Sequence, residues 1–273
     1  ARPGEPVLQV EDLVVRDERR QVAVDGASLE VRAGEILAVA GVQGNGQSEL
    51  VEAIAGMRPV VSGRVRLDGR DVTGLDPRRL FRRGLAHVPE DRQRHGLVGT
   101  FSVADNMVLN MSRQRPFARG LRIDRAAVRR HADQLVADFD VRTSSIDTPA
   151  GTLSGGNQQK VIVAREMSHA DRLLILAQPT RGLDVGSIQY IHARAVAARD
   201  TGVAVLLVSS ELDEILALAD RVAVMSEGRI VGVLDRDEAT RETIGLLMAG
   251  TVRDAAQAVA EATDEPDEEV AVT

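Results

Sequence analysis

Leu153-Ser154-Gly155-Gly156-Asn157-Gln158-Gln159-Lys160 places a serine and two glycines ahead of a helical run and contains the only lysine of the 273-residue chain. Serine at a helix start supplies a hydroxyl, the glycines allow close backbone approach, and the open N–H groups carry the positive end of the helix dipole. The stretch therefore reads as an anion site, with an ordinary N-cap as the competing reading. A second such site lies upstream. Gly41-Val42-Gln43-Gly44-Asn45-Gly46-Gln47-Ser48 has the G-x-x-x-x-G-[K]-[ST] spacing of a P-loop, but Gln47 stands where the lysine belongs.

A P-loop binds phosphate through the backbone N–H groups of its glycine turn and through the lysine ammonium. The first means is retained in Gly41, Gly44, Asn45 and Gly46. Gln47 donates only neutral hydrogen bonds, which are roughly half as strong as charge-assisted ones. Ser48 keeps a hydroxyl able to ligate Mg²⁺. A glycine turn kept only for strand-to-helix geometry fits the loop equally well.

The buried strand expected to carry the metal carboxylate and the water-positioning group reads Leu173-Leu174-Ile175-Leu176-Ala177-Gln178-Pro179-Thr180. Ala177 has no side-chain oxygen, and Gln178 is a poor base that still orients water. Thr180-Arg181-Gly182-Leu183-Asp184 follows. The strand Val203–Val208 ends in Ser209-Ser210-Glu211, so no histidine is available there for a terminal phosphate. His87, His95, His131, His169 and His192 read as solvated or structural. Residues 1–40 offer no aromatic ring for base stacking, which contributes on the order of 1–3 kcal/mol in base-binding sites.

Composition is that of a globular chain, with 44% apolar and 27% charged residues and no cysteine, which excludes disulfides and thiolate metal sites. The net charge of −7 is concentrated in residues 250–273, whose seven acidic side chains and Arg253 sum to −6. The remaining −1 provides no basic field for nucleic acid. No apolar run approaches the roughly 20 residues of a membrane span. Ala1 to Pro6 (ARPGEP) reads as a linker, as in the second part of a longer polypeptide. Proteolytic trimming or a cloning choice would give the same opening.

Apolar patterning predicts strands at 7–15, 23–31 and 35–40, a helix from Ser48 to about Met57, a strand at 64–67, a helix at 77–83 and a strand at 85–88. From about Thr100 to Pro149 the strand signal gives way to helices at 103–111 and 125–139, separated by a loop at 113–120. The pattern resumes with a helix from Ser154 to about Ser168, strand 172–176, helix 187–199, strand 203–209, helix 211–219, a hairpin over 221–234 and a helix at 237–248. The expected fold is α/β with a mostly parallel core sheet and an antiparallel β subdomain. Its parts are a linker at 1–6, a core at 7–99 and 150–249, an inserted helical subdomain at 100–149, and a disordered acidic tail at 250–273.

Taken together, P-loop, LSGG signature, buried strand and Asp184 segment resemble the ATP-binding cassette (ABC) family over about residues 7–250. LSGGNQQK, Pro89-Glu90-Asp91-Arg92, His95-Gly96-Leu97-Val98 and Val208-Ser209-Ser210-Glu211-Leu212 resemble the second, degenerate cassette of double-cassette importers for simple sugars and nucleosides. Ala177 to Asp184 looks closer to the nucleoside branch. The resemblance implies head-to-tail cassettes with ATP held between the P-loop of one and the signature of the other. Ser154, Gly155 and Gly156 would then contact the γ-phosphate held by a partner cassette, with Asp184 in the D-loop at the seam. Glu90 takes the Q-loop glutamine's place, in a loop facing a transmembrane permease, and Ser210 takes the H-loop position. Ala177 and Gln178 are a degenerate Walker B end.

The reading that follows is an importer nucleotide-binding domain using ATP and Mg²⁺, peripheral to the cytoplasmic face of the plasma membrane through its permease. It inserts into no membrane and binds no nucleic acid. Alone, it would have little or no ATPase activity. A non-catalytic nucleotide-sensing or scaffolding module is the alternative. A DNA-repair or chromosome-organising ATPase would need long heptad arms, which residues 57–152 lack.

Overall fold

The computed structural model describes residues 3–120 and 122–249. In chain order, β1 (Pro6–Arg16) and β2 (Val22–Arg32) precede β3 (Ile36–Ala40), which feeds α1 (Gln47–Ile54). Then come β4 (Val60–Leu67), β5 (Arg70–Asp71), α2 (Pro77–Phe81), β6 (Leu85–Val88), a π turn at Arg92–Gly96, α3 (Val103–Met107), β7 (Ala118–Arg119), β8 (Arg122–Ile123) and α4 (Arg125–Asp138). The chain closes with α5 (Gly155–Met167), β9 (Leu173–Ala177), α6 (Val185–Asp200), β10 (Ala204–Ser209), α7 (Leu212–Leu218), β11 (Arg221–Ser226), β12 (Arg229–Asp235) and α8 (Arg241–Met248).

Every residue of β3, β9 and β10 is buried, as expected where both faces of a parallel sheet are covered. These strands form the middle of a six-stranded sheet ordered β12-β11-β3-β10-β9-β6, antiparallel only at its β12 edge. A separate antiparallel sheet, β2-β1-β4-β5, packs against it through a core that includes Leu13, Val24, Leu37 and Leu50. The opposite face packs on α5 and the helical segment through Ile162, Met107 and Val128. Three parallel strands, β3, β6 and β9, thus present their carboxyl ends to one crevice, the usual ligand position of such sheets.

Several boundaries depart from the sequence expectation. The expected linker is already tied down at Gly4, whose N–H donates to Ala33 O at 2.8 Å, and Pro6 opens β1. β4 starts at Val60 because pairing of Val60 and Ser62 with β1 outweighs the weak strand preference of Ser62 and Gly63. α3 stops at Met107, after which the chain turns and Asn110 Nδ2 reaches Glu166 Oε1 at 2.9 Å. The inserted segment, expected as two helices joined by a loop at 113–120, also contains the β7–β8 hairpin, with Gly120 at φ 64° beside its turn. α8 begins at Arg241, where Thr240 and Thr243 form a reciprocal capping box. The acidic tail lies outside the described residues.

Candidate functional site

The crevice at the carboxyl ends of β3, β6 and β9 opens into a cavity of about 630 Å³ whose lining includes Gly44, Gln47, Ser48, Glu90, Ala177 and Gln178. Backbone geometry fixes the loop that floors it. Gly46 has φ 100°, and a Cβ there would fall 2.2 Å from Ala23 O, so only glycine fits. Asn45 O accepts from Gly228 N at 3.1 Å, which ties the loop to the β11–β12 turn. Gly41 follows β3, close beneath Met225 O. Gly46 caps α1 without a side-chain hydrogen bond, as an anion-binding helix start requires.

Gln47 is buried, and its Nε2 donates to Val42 O at 3.2 Å. The side chain at the lysine position is therefore folded back onto its own loop. Ser48 Oγ donates to Glu90 Oε2 at 3.0 Å, while Glu90 Oε1 accepts from Arg181 Nη1 at 2.8 Å. Arg181 O in turn accepts from Arg92 Nη1 at 3.2 Å. Gln178 sits at φ 46°, a sparsely populated region for a side-chain-bearing residue, and its Oε1 accepts from both N–H and Oγ of Ser210 at 3.2 Å. Ser210 is thus tethered to the cavity through Gln178.

His87 and His95, read from the sequence as solvated or structural, stand in the cavity lining. Burial pushes the His87 imidazole down to about 4, against an opposing pull from Glu166, so it is neutral at pH 7. No phenyl or phenol ring joins the lining. Nucleotide phosphates fit the glycine turn and open helix start. Ser48 and Glu90 would offer hard oxygens to Mg²⁺, although among the described residues no cluster of three or more His, Cys, Asp or Glu side chains is placed to cage a metal.

The signature residues line none of this cavity. Ser154 is the N-cap of α5, and its Oγ accepts from Asn157 Nδ2 at 2.9 Å and Asn157 N at 3.5 Å, which leaves the hydroxyl proton free to donate. Gly156 is packed against the start of α6: a Cβ would lie 2.4 Å from Ser187 Oγ and 3.1 Å from Asp184 Oδ2. A Cβ on Gly155 would lie 3.0 Å from Arg92 Nη2. Asp184 caps α6, accepting from Ser187 N at 3.0 Å and Ser187 Oγ at 2.8 Å, bonds that hold its carboxyl below the ordinary range. Lys160 Nζ is committed to Asp140, with bonds of 2.8 Å to its carbonyl and 2.7 Å to its carboxylate.

Arg92, Arg181, His87 and the π turn were not picked out by sequence spacing. Arg181 stood in plain view within the Thr180–Asp184 segment, but no periodicity indicates that it faces the P-loop.

Residues 24–181 match the family described as ABC transporter. The chain is 47% identical over 250 residues to the nucleoside import ATP-binding protein NupA of Lactococcus lactis subsp. cremoris, covering 92% of this chain and 49% of that protein. It is 45% identical over 253 residues to the guanosine import ATP-binding protein NupO of Bacillus subtilis, covering 93% and 50% respectively. The chain spans about half the length of these curated relatives. A nucleotide-free ATP-binding cassette from an ABC transporter superposes with TM-score 0.75 at 22% identity, over 92% of this chain and 99% of that one, a likeness of fold. With α/β core, P-loop and signature in one architecture, the chain belongs to the ABC transporter family.

Proposed function

We propose that this chain is the second, catalytically degenerate cassette of an importer ATPase, coupling ATP binding and hydrolysis to uptake of a nucleoside or simple sugar. Its signature completes the ATP site of a competent partner cassette, N-terminal in the same polypeptide. Its own P-loop holds Mg²⁺ and nucleotide with little or no turnover. The observation that carries this reading is the separation of the two anion sites: Ser154, Gly155 and Gly156 stand outside the cavity shared by Gly44, Gln47 and Ser48. A phosphate contacted by that signature has to be brought by another molecule or another domain.

Two further features support the reading. The names of the similar importers cover both solute classes, with NupA and NupO at 47% and 45% identity and a glucose import ATP-binding protein of Haloferax volcanii at 45%. His87, Pro89 and His95 form a wall shared with a second cavity of about 440 Å³, which Phe81, Leu109 and Arg113 also line. A permease segment seated in that second cavity would contact the Glu90–His95 loop directly. Among the described residues no helix is long and apolar enough to cross a membrane. In this reading the cassette attaches to the cytoplasmic face through its permease.

Mixing tests the proposal. The 273-residue chain alone should turn over ATP at or near background. Addition of its transporter's lysine-bearing cassette should give a saturable rise in turnover as this chain is titrated in. Turnover by the isolated chain at the rate of the mixture would sink the assignment.

A further inference from the structure

The cation missing from position 47 and the carboxylate missing from position 177 both have counterparts in the same cavity. Gln47 is neutral and turned onto Val42 O, and Ala177 brings no oxygen to the end of β9. Glu90, between β6 and the π turn, and Arg181, after β9, line the cavity as a pair with N and O 2.8 Å apart. Glu90 is also the residue that Ser48 Oγ, in the first turn of α1, donates to. Two separate elements thus converge on one carboxylate.

We propose that Arg181 is the relocated cation of the Mg²⁺–nucleoside triphosphate site at this chain's own P-loop: with Mg²⁺ at Ser48 and the Q-loop-position Glu90, Arg181 supplies the charge for the terminal phosphates that Gln47 lacks. The Glu90–Arg181 ion pair is the arrangement that Mg²⁺ and nucleotide exchange for contacts of their own. The inference rests on the reading above that this P-loop holds nucleotide.

Distances and chemistry agree. Mg²⁺ takes octahedral oxygen ligands at about 2.0–2.1 Å, so neighbouring ligands stand about 2.9 Å apart, close to the 3.0 Å between Ser48 Oγ and Glu90 Oε2. Mg²⁺ is ordinarily held by one or two carboxylates plus substrate phosphates, so a single glutamate and a hydroxyl suffice where a three-carboxylate cage is absent. Guanidinium binds phosphate oxygens in a two-pronged manner that the neutral Gln47 amide cannot reproduce. The resting pair is loosely held, with Arg181 and Glu90 side chains 57% and 28% exposed, and a solvent-exposed pair is easily exchanged. Arg92 Nη1, bound to Arg181 O, fixes the backbone from which the guanidinium extends.

Calorimetric titration of the 273-residue chain with ATP, once in Mg²⁺ and once in excess EDTA, separates the two roles. Arg181→Ala should weaken binding about tenfold or more in both conditions, and Arg181→Lys should recover part of it. Glu90→Gln should weaken binding by a similar factor in Mg²⁺ only. In EDTA its affinity should equal or exceed that of the unmodified chain, because a carboxylate near the phosphates has been removed. With Mn²⁺ as the probe, Glu90→Gln should also alter the electron paramagnetic resonance spectrum of the nucleotide-bound ion. Unchanged binding by either variant, or an equal loss by Glu90→Gln with and without Mg²⁺, overturns the proposal. If the unmodified chain binds no ATP at millimolar concentration, the occupied P-loop and this inference fall together. The signature's role toward the partner, read by turnover in the mixture, would then still stand.

Discussion

The P-loop cavity and the signature corner each set a helix start behind a glycine-containing loop, yet they use their polar groups in opposite ways. At the P-loop the side chains are spent on one another: Gln47 on Val42 O, Gln178 on Ser210, Glu90 on Ser48 and Arg181. At the signature the supporting groups are spent and the tip is left open. Asp184 and Ser187 brace each other, Asn157 holds Ser154 Oγ, and the Ser154 proton remains to be donated. With neutral side chains at positions 47, 177 and 178, the P-loop cavity satisfies its polar groups internally, whereas the signature is braced from behind and leaves a donor exposed, as its proposed role toward an external anion needs. Preorganised donors of the second kind need no rearrangement when charge arrives.

The two regions share a foundation in α5 and β6, and the largest predicted effect comes from breaking it. Glu166 accepts from Arg165 Nε at 2.7 Å, Asn110 Nδ2 at 2.9 Å and His87 N at 3.3 Å, all beneath the surface. Glu166→Ala would leave the Arg165 guanidinium buried without its counter-charge, at a cost of about 3–5 kcal/mol in chemical denaturation. A loss below about 1 kcal/mol would show that the frame does not depend on this pair.

Acid should distinguish the cavity wall from the signature corner. An unfolded His87 takes up a proton as pH falls below about 6.5, while the folded imidazole stays neutral until about 4. Stability is therefore lost as pH falls through that window, by up to about 3 kcal/mol from this residue. His131, also held low by burial, adds in the same direction. His87→Gln should flatten the slope of unfolding free energy between pH 6.5 and 4 without removing it, and an unaltered slope contradicts the assignment. Glu166, with burial outweighed by His169 and Arg165 and its carboxyl held at about 2, acts in a lower window, below about 4.5.

Gly156 sharpens the comparison at the other corner. Gly156→Ala inserts a methyl 2.4 Å from Ser187 Oγ and should cost about 1–3 kcal/mol through overpacking, despite the better helix propensity of alanine. Adding Ser187→Ala should return part of that loss, and a thermal melt showing Gly156→Ala more stable than the parent would break the packing account. The smallest expected effect is a gain. Gln47→Lys with Ala177→Asp and Gln178→Glu should raise ATP affinity by about tenfold, through the charges restored to the P-loop side. Turnover should stay low with Ser210 in the histidine's place and no ring in the cavity, and robust turnover by the triple variant would contradict that.

Much of the architecture was legible because its causes are local. The all-apolar runs at β3, β9 and β10, the Ser154 cap and the Gly44–Gly46 turn announce themselves in the sequence. The missing charges at Gln47, Ala177, Gln178 and Ser210 are read directly from spacing. What stayed hidden depends on contacts between residues far apart in the chain. Glu90 reaches Arg181 across 91 positions and Arg172 reaches Asp68 across 104, and no periodicity encodes either. The π turn rests on Asp91 Oδ1 accepting from Gln93 N at 2.9 Å and Arg94 N at 3.0 Å, a cap resembling any Asx turn in sequence. The early end of α3 stayed hidden for a related reason: a tertiary partner, Glu166, holds Asn110 and outweighs helical patterning.

In the proposed function the intact signature serves an ATP held elsewhere, and this chain's own P-loop is dispensable for turnover. ATPase activity of the complete two-cassette protein carrying Ser154→Arg or, separately, Gln47→Ala decides between the two sites. Ser154→Arg should lower turnover by about 100-fold, the scale of losing a preorganised donor, and Gln47→Ala should change it far less. Turnover that survives Ser154→Arg but collapses with Gln47→Ala would contradict the account.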